Sequence, residues 1–295
     1  MAIKLGGGGG SASQVNETID INSAENLITL EDGRVYLKGG VSETDLTTYP
    51  DATTSFAYTG TSFSVANQDS NPSGIAWDGT HFWVVGASNL VHKYNASGVY
   101  QNVNFSVASQ GTSPMDIVWD GAYFWVINNA TSPYKRVSKY SAAGVYQNVF
   151  WEYNAVTTME GEGLAWDGTY FWVVGNSTDT IRKFNAAGVD QGVSYSVAAQ
   201  ATNPKGITFD GTYLWVVGTA SGKAHKYNTS GVYQNESFAV NSQDTSAQGI
   251  VSIGTALWTI GKTTDSAYKY QNQIGVNSVS SGYGLLGQQN YVRIK

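Results

Sequence analysis

The residues best placed for chemistry are three carboxylates and a lysine. Asp116, Glu160, Glu162 and Lys205 stand at or beside one position of a sequence repeat, in successive copies. Two carboxylates facing each other across a cleft are what glycoside hydrolysis uses, one as acid and the other as base or nucleophile. Solvated loop charges partly neutralised by Lys205 are the simpler reading and the preferred one. Ser73, Met115 and Gln248 occupy the same repeat position in other copies, and Tyr134 adds an aromatic side chain to a longer loop. These eight residues are the candidates for contact with a ligand or partner, and no catalytic residue is assigned.

Other recurrent side chains read as scaffold. Asp78, Asp120, Asp167 and Asp210 could suggest a ring of carboxylates for a metal, but each precedes a glycine between two extended runs, the mark of a hairpin turn. Trp83, Trp125, Trp172, Trp215 and Trp258 recur in the following run, where packing between neighbouring sheets accounts for them better than sugar stacking does. His81, His92 and His225 lack metal-ligand spacing, and His92 and His225 are equivalent in two copies. No nucleophile elbow, phosphate loop or dinucleotide fingerprint occurs. The chain is therefore expected to be non-enzymatic, without cofactor or metal.

The elements that position these residues follow from the repetition. Copies begin at 72, 114, 161, 204 and 247, and that spacing suits a four-stranded propeller blade. Each copy alternates β-branched and aromatic runs with Asp-Gly and Asn-x-x-Gly turns, and helical periodicity is absent. The reading is an all-β, five-bladed β-propeller of four-stranded blades. The fifth copy lacks the Phe-Ser-Val ending of an outer strand, while Phe63-Ser-Val65 precedes the first copy without a blade of its own. Residues 55–65 are thus predicted to supply the last blade's outer strand and close the ring. The division is 1–52, a Gly-rich leader and attachment hairpin; 53–275, the propeller; and 276–295, a C-terminal strand.

Composition narrows the partners. The 295 residues carry 16 Lys and Arg against 22 Asp and Glu, a net charge of -6 that gives nucleic acid no electrostatic footing. Cysteine is absent, which excludes disulfides and thiolate metal sites. No stretch has the length and apolarity to span a bilayer or form a signal-peptide core, so membrane insertion is not expected.

The ends carry a resemblance. Residues 2–17, with the glycine run Gly6 to Gly10, then 29–41 and 44–52, resemble the N-terminal attachment segment of bacteriophage tail and tail-fibre proteins, and Asn290-Tyr-Val-Arg-Ile-Lys295 is similar to tail-protein C-termini. The resemblance implies a structural component of the virion tail, made in the host cytoplasm and attached through its leader to other tail or baseplate proteins as a homo-oligomer. Ile3, Leu5, Leu27, Leu30, Val35, Tyr36 and Leu37 are then the assembly residues, because an isolated two-stranded hairpin needs a surface to dock on. Host-surface glycan is a further candidate partner for the variable face. The alternative is a free-standing, lectin-like carbohydrate-binding propeller.

Overall fold

The computed structural model describes residues 2–4, 18–20, 27–29, 35–38, 54–130, 135–153, 159–274 and 291–294. The chain divides into two units, Phe56–Asn272 and a second that joins Met1–Ser55 to Gln273–Lys295. In the second unit β1 (Ala2–Lys4) pairs with β2 (Thr18–Asp20). There β3 (Leu27–Thr29) and β4 (Val35–Lys38) form a hairpin pairing. The strand at Tyr291–Ile294 pairs with the other edge of β4, so hairpin and C-terminal strand supply each other's partner. Of the expected assembly residues, Ile3, Leu27, Val35, Tyr36 and Leu37 lie in these strands, and Leu5 and Leu30 lie outside the described residues.

The other unit is a five-bladed β-propeller, opened in sequence by β5 (Thr54–Ser64). Blade 1 consists of β6 (Pro72–Trp77), β7 (His81–Gly86), β8 (Leu90–Asn95) and β9 (Tyr100–Ser106). Blade 2 is β10 (Pro114–Trp119), β11 (Tyr123–Asn129), β12 (Lys135–Ser141) and β13 (Tyr146–Glu152). Blade 3 is β14 (Gly161–Trp166), β15 (Tyr170–Gly175), β16 (Thr180–Asn185) and β17 (Asp190–Ser196). Blade 4 is β18 (Pro204–Phe209), β19 (Leu214–Gly218), β20 (Lys223–Tyr227) and β21 (Tyr233–Ala239). Blade 5 takes β22 (Ala247–Ile253), β23 (Ala256–Gly261) and β24 (Ser266–Ile274) from the end of the ring and β5 from its beginning. Thus the ring closes through an N-terminal strand, as the orphan Phe-Ser-Val predicts, and the Val65 N–H donates to the Asp265 carbonyl at 2.8 Å.

Two local devices repeat around the ring. At the first turn of blade 1 the Asp78 carboxylate accepts the Thr80 and His81 backbone N–H groups through Oδ1, and its Oδ2 accepts the Trp83 indole N–H at 2.7 Å. Asp120, Asp167 and Asp210 hold Trp125, Trp172 and Trp215 in the same way. The aspartates are therefore turn residues, and each also satisfies the one polar atom of an indole buried between blades. At the second device, Gly98 takes φ +77° in the hairpin between β8 and β9, and a Cβ there would lie 2.2 Å from the Phe63 ring. Gly144, Gly188 and Gly231 sit likewise against Phe105, Trp151 and Tyr195, so each hairpin is seated on the preceding blade's outer strand.

One apolar cluster fills each of the five blade interfaces. The recurrent Trp83, Trp125, Trp172, Trp215 and Trp258 are buried in them, none exceeding 6 % exposure. Full burial of side chains this size stabilises by about 1.5–3 kcal/mol each. Both faces of every blade are spent on this packing, so binding chemistry is confined to the rims and the axis.

Candidate functional site

The five inner strands, β6, β10, β14, β18 and β22, meet at the axis, and glycine sets how closely they approach. A Cβ at Gly163 would lie 2.7 Å from the Lys205 carbonyl oxygen, and one at Gly206 would lie 2.7 Å from that of Gln248. Gly74 faces Asp116 equally closely, its would-be Cβ 2.5 Å from the Asp116 Cα. Gly249 completes a ring of four glycines and one aspartate.

Asp116, the exception among these glycines, is buried. It is 1 % exposed, and its carboxylate accepts the Ile117 N–H on its own strand and the Leu164 N–H on blade 3, both at 2.9 Å. The Ile75 N–H of blade 1 is a third donor. Burial pushes the carboxyl well above its ordinary range, against the pull of these three N–H groups. Asp116 thus ties three inner strands together, its carboxylate engaged by backbone donors.

The remaining mouth residues share a feature the sequence does not display: each sits on a β-bulge. Pairing between first and second strands skips one residue in every blade, and the skipped residues are Ser73, Met115, Glu162, Lys205 and Gln248. A bulge re-aims the side chain of its extra residue, which is why this position can vary without disturbing the ladder. Ser73 Oγ donates to the Pro114 carbonyl at 2.7 Å, linking blades 1 and 2. Gln248 Nε2 donates to the Ser246 carbonyl and hydroxyl, and Met115 Sδ receives the Ser113 hydroxyl at 3.6 Å.

Glu162 and Lys205 form the one charged pair among these five residues. Lys205 Nζ lies 3.1 Å from Glu162 Oε2, with the glutamate 5 % and the lysine 16 % exposed. Glu162 is therefore a buried ion-pair partner and not a solvated loop charge. Burial raises its carboxyl, Lys205 and Lys262 oppose that, and the Glu160 charge adds to the rise. Glu160 itself is exposed and pairs loosely with Lys135 at 3.5 Å. Tyr134 lies outside the described residues. A carboxylate beside an ammonium in a half-dry mouth can exchange hydrogen bonds with a polar ligand. Among the described residues no group of three His, Cys, Asp or Glu side chains is arranged to hold a metal ion.

No protein-family model matches the chain, and no curated protein matches it. Solved structures do share its fold. The glutaminyl cyclase of Myxococcus xanthus matches with a TM-score of 0.58 at 9% identity, over 77% of this chain and 100% of that one. The PQQ-bound aldose sugar dehydrogenase of Streptomyces coelicolor matches with a TM-score of 0.52 at 12% identity, over 76% and 100%. At such identities the likeness concerns the fold. It nevertheless corrects one expectation: proteins with this propeller fold include enzymes, so a scaffold-like repeat is no ground for setting catalysis aside. The repeated aspartates are structural, and that role carries no information about catalysis elsewhere in the molecule.

Proposed function

We propose that the chain is a component of a phage tail, with the propeller as a recognition head and the two terminal stretches as its attachment module. Its partners are other tail or baseplate proteins, further copies of itself, and a host-surface glycan read at the rim around Glu162 and Lys205. The observation that carries the reading is how the chain divides. The ring is closed by β5 alone, and both ends of the chain go into one separate unit whose strand β4 pairs on both edges. Its strands are only three and four residues long, which supports docking of that unit on a further surface. The leader's likeness to tail attachment segments supports a tail or baseplate protein as that surface, and with it a location in the virion after synthesis in the host cytoplasm.

Light scattering on the full chain tests this. An assembly larger than one chain is expected, and Tyr36→Pro should reduce it to monomer, because proline at the strand paired with both Ile28 and Arg293 removes its backbone donor. A monomeric full chain would remove the attachment reading.

A further inference from the structure

The ring's pseudo-symmetry fails most at the interface between blades 4 and 5, on the rim that carries the Asp-Gly turns. At the other four interfaces an aromatic side chain ends the inner strand and packs into the interblade cluster: Trp77 between blades 5 and 1, Trp119 between 1 and 2, Trp166 between 2 and 3, and Phe209 between 3 and 4. The equivalent residue of blade 5 is Ser252. A second departure coincides with it. Blade 5 has no hairpin between its third and fourth strands, because the chain leaves after β24 and the outer strand arrives separately as β5. Phe56 takes up part of that space, 5.1 Å from Trp215 and 5.2 Å from Phe238 between ring centroids. What remains is a pocket of about 270 Å³ bordered by Phe56, Tyr213, Ser252, Thr255 and Asn272, with the Asp210 carboxylate at its edge.

We infer that this pocket is a binding site for a single neutral sugar ring. Its accessible apolar part is the half-buried rings of Phe56 and Tyr213, backed by the buried Trp215 and Leu257, and suits the C–H face of a pyranose. Its border is rich in small hydroxyl and amide groups, Thr212, Ser252, Thr255 and Asn272, which can exchange hydrogen bonds with ring hydroxyls. The one cation among its described residues is already paired, and the carboxylate is largely occupied. Asp210 accepts the Thr212, Tyr213 and Trp215 N–H groups, leaving its carboxylate room for one further donor, and Lys226 is paired with Glu236 at 2.8 Å. An anionic ligand would meet no free cation among the described residues there, and the position left on Asp210 suits one hydroxyl of a polyhydroxylated neutral ligand that also meets the apolar rings and the border. The site is distinct from the mouth at Glu162 and Lys205, and it does not depend on membership of a virion.

The test is a titration of the full chain with the methyl glycosides of glucose, galactose, mannose and N-acetylglucosamine, followed by the NMR shift of the Trp215 indole N–H. At least one glycoside should move that signal saturably, and Ser252→Trp, which restores the aromatic of blades 1 to 3, should weaken binding more than tenfold. Should Ser252→Trp fail to fold, Thr255→Ala/Asn272→Ala on the exposed border serves instead, with the same tenfold weakening expected. No response to any of the four, or a response unchanged in the folded variants, would overturn the proposal. So would saturable binding of phenol or indole with none of the glycosides, since the vacancy would then be a slot for an aromatic side chain.

Discussion

The carboxylate of Asp116 and the backbone N–H of Leu164 meet at 2.9 Å across the boundary between blades 2 and 3, at the centre of the ring. With Ile117 and Ile75 as its other donors, one side chain satisfies backbone groups on three inner strands. Asp116→Asn puts an amide N–H₂ where one oxygen now accepts, and Asp116→Gly, the residue of the other four blades, deserts all three donors. Each should lower stability by about 1–3 kcal/mol, as leaving buried backbone donors unsatisfied does. Urea unfolding followed by tryptophan fluorescence measures it, and an unchanged midpoint would show that Asp116 is no tie between blades.

Gly98 and Gly79 separate two costs that usually travel together. Both have positive φ, +77° and +97°, but a Cβ at Gly98 would strike the Phe63 ring whereas one at Gly79 meets nothing within 4 Å. Gly79→Ala should cost about 1–2 kcal/mol, the strain of a left-handed alanine. Gly98→Ala adds the displacement of Phe63 from the closing interface, about 1–3 kcal/mol more. Thermal unfolding of the two variants should therefore rank Gly98→Ala below Gly79→Ala, and equal melting temperatures would mean the contact across the closure is slack.

The pair formed by Glu162 and Lys205 should be strongly coupled. Lys205→Met leaves a carboxylate at 5 % exposure without its cation, and should destabilise by about 3–5 kcal/mol. Glu162→Gln/Lys205→Met removes both charges and should recover most of that loss. A double-mutant cycle read by denaturant unfolding is the measurement, and simple additivity would argue that water already screens the pair.

His225 makes stability depend on pH. It is 5 % exposed, and burial, helped by the Lys223 charge, lowers its imidazole from 6.5 to about 4. The neutral ring is therefore favoured in the folded state, its contribution is complete above pH 6.5, and it is lost as pH falls from there toward 4. His92, in the equivalent place, is lowered in the same direction, chiefly by burial. The urea midpoint should drop between pH 7 and pH 4.5, and by less in His225→Gln. A drop of the same size in both would assign the effect to other groups.

How much of this is legible in the sequence depends on whether a feature is local. The Asp-Gly turns, the alternation and the stray Phe63-Ser-Val65 are local, and they suffice for the blade count and for closure by an N-terminal strand. The bond from Asp78 to Trp83 was legible too, as a fixed spacing repeated in four blades, although the aspartates read only as turn formers. The bulges were not, because whether Glu162 faces solvent or Lys205 depends on a one-residue slip in pairing with β15. Asp116 was visible as the exception among glycines, yet its burial follows from the approach of β6 and β14, which lie about 40 residues to either side of it. The pairing of β4 with Tyr291–Ile294 spans most of the chain and leaves no local mark at either end.

Closure by β5 also fixes when the ring can exist during synthesis. Ser64 and Val65 meet Asp265 across about 200 residues, so the ring's first strand waits for its last. At the ribosome's pace of about 5–20 residues per second the wait is on the order of 10–40 s. Throughout it Phe63 has no Trp258 to rest on and β24, the edge that β5 must join, has yet to emerge. Blades 1 to 4 can stack in order as they emerge, but the last blade is assembled only after nearly the whole chain is out. The nascent protein thus holds an apolar strand in reserve, open in that interval to pairing with the β24 of a neighbour further along the same polysome.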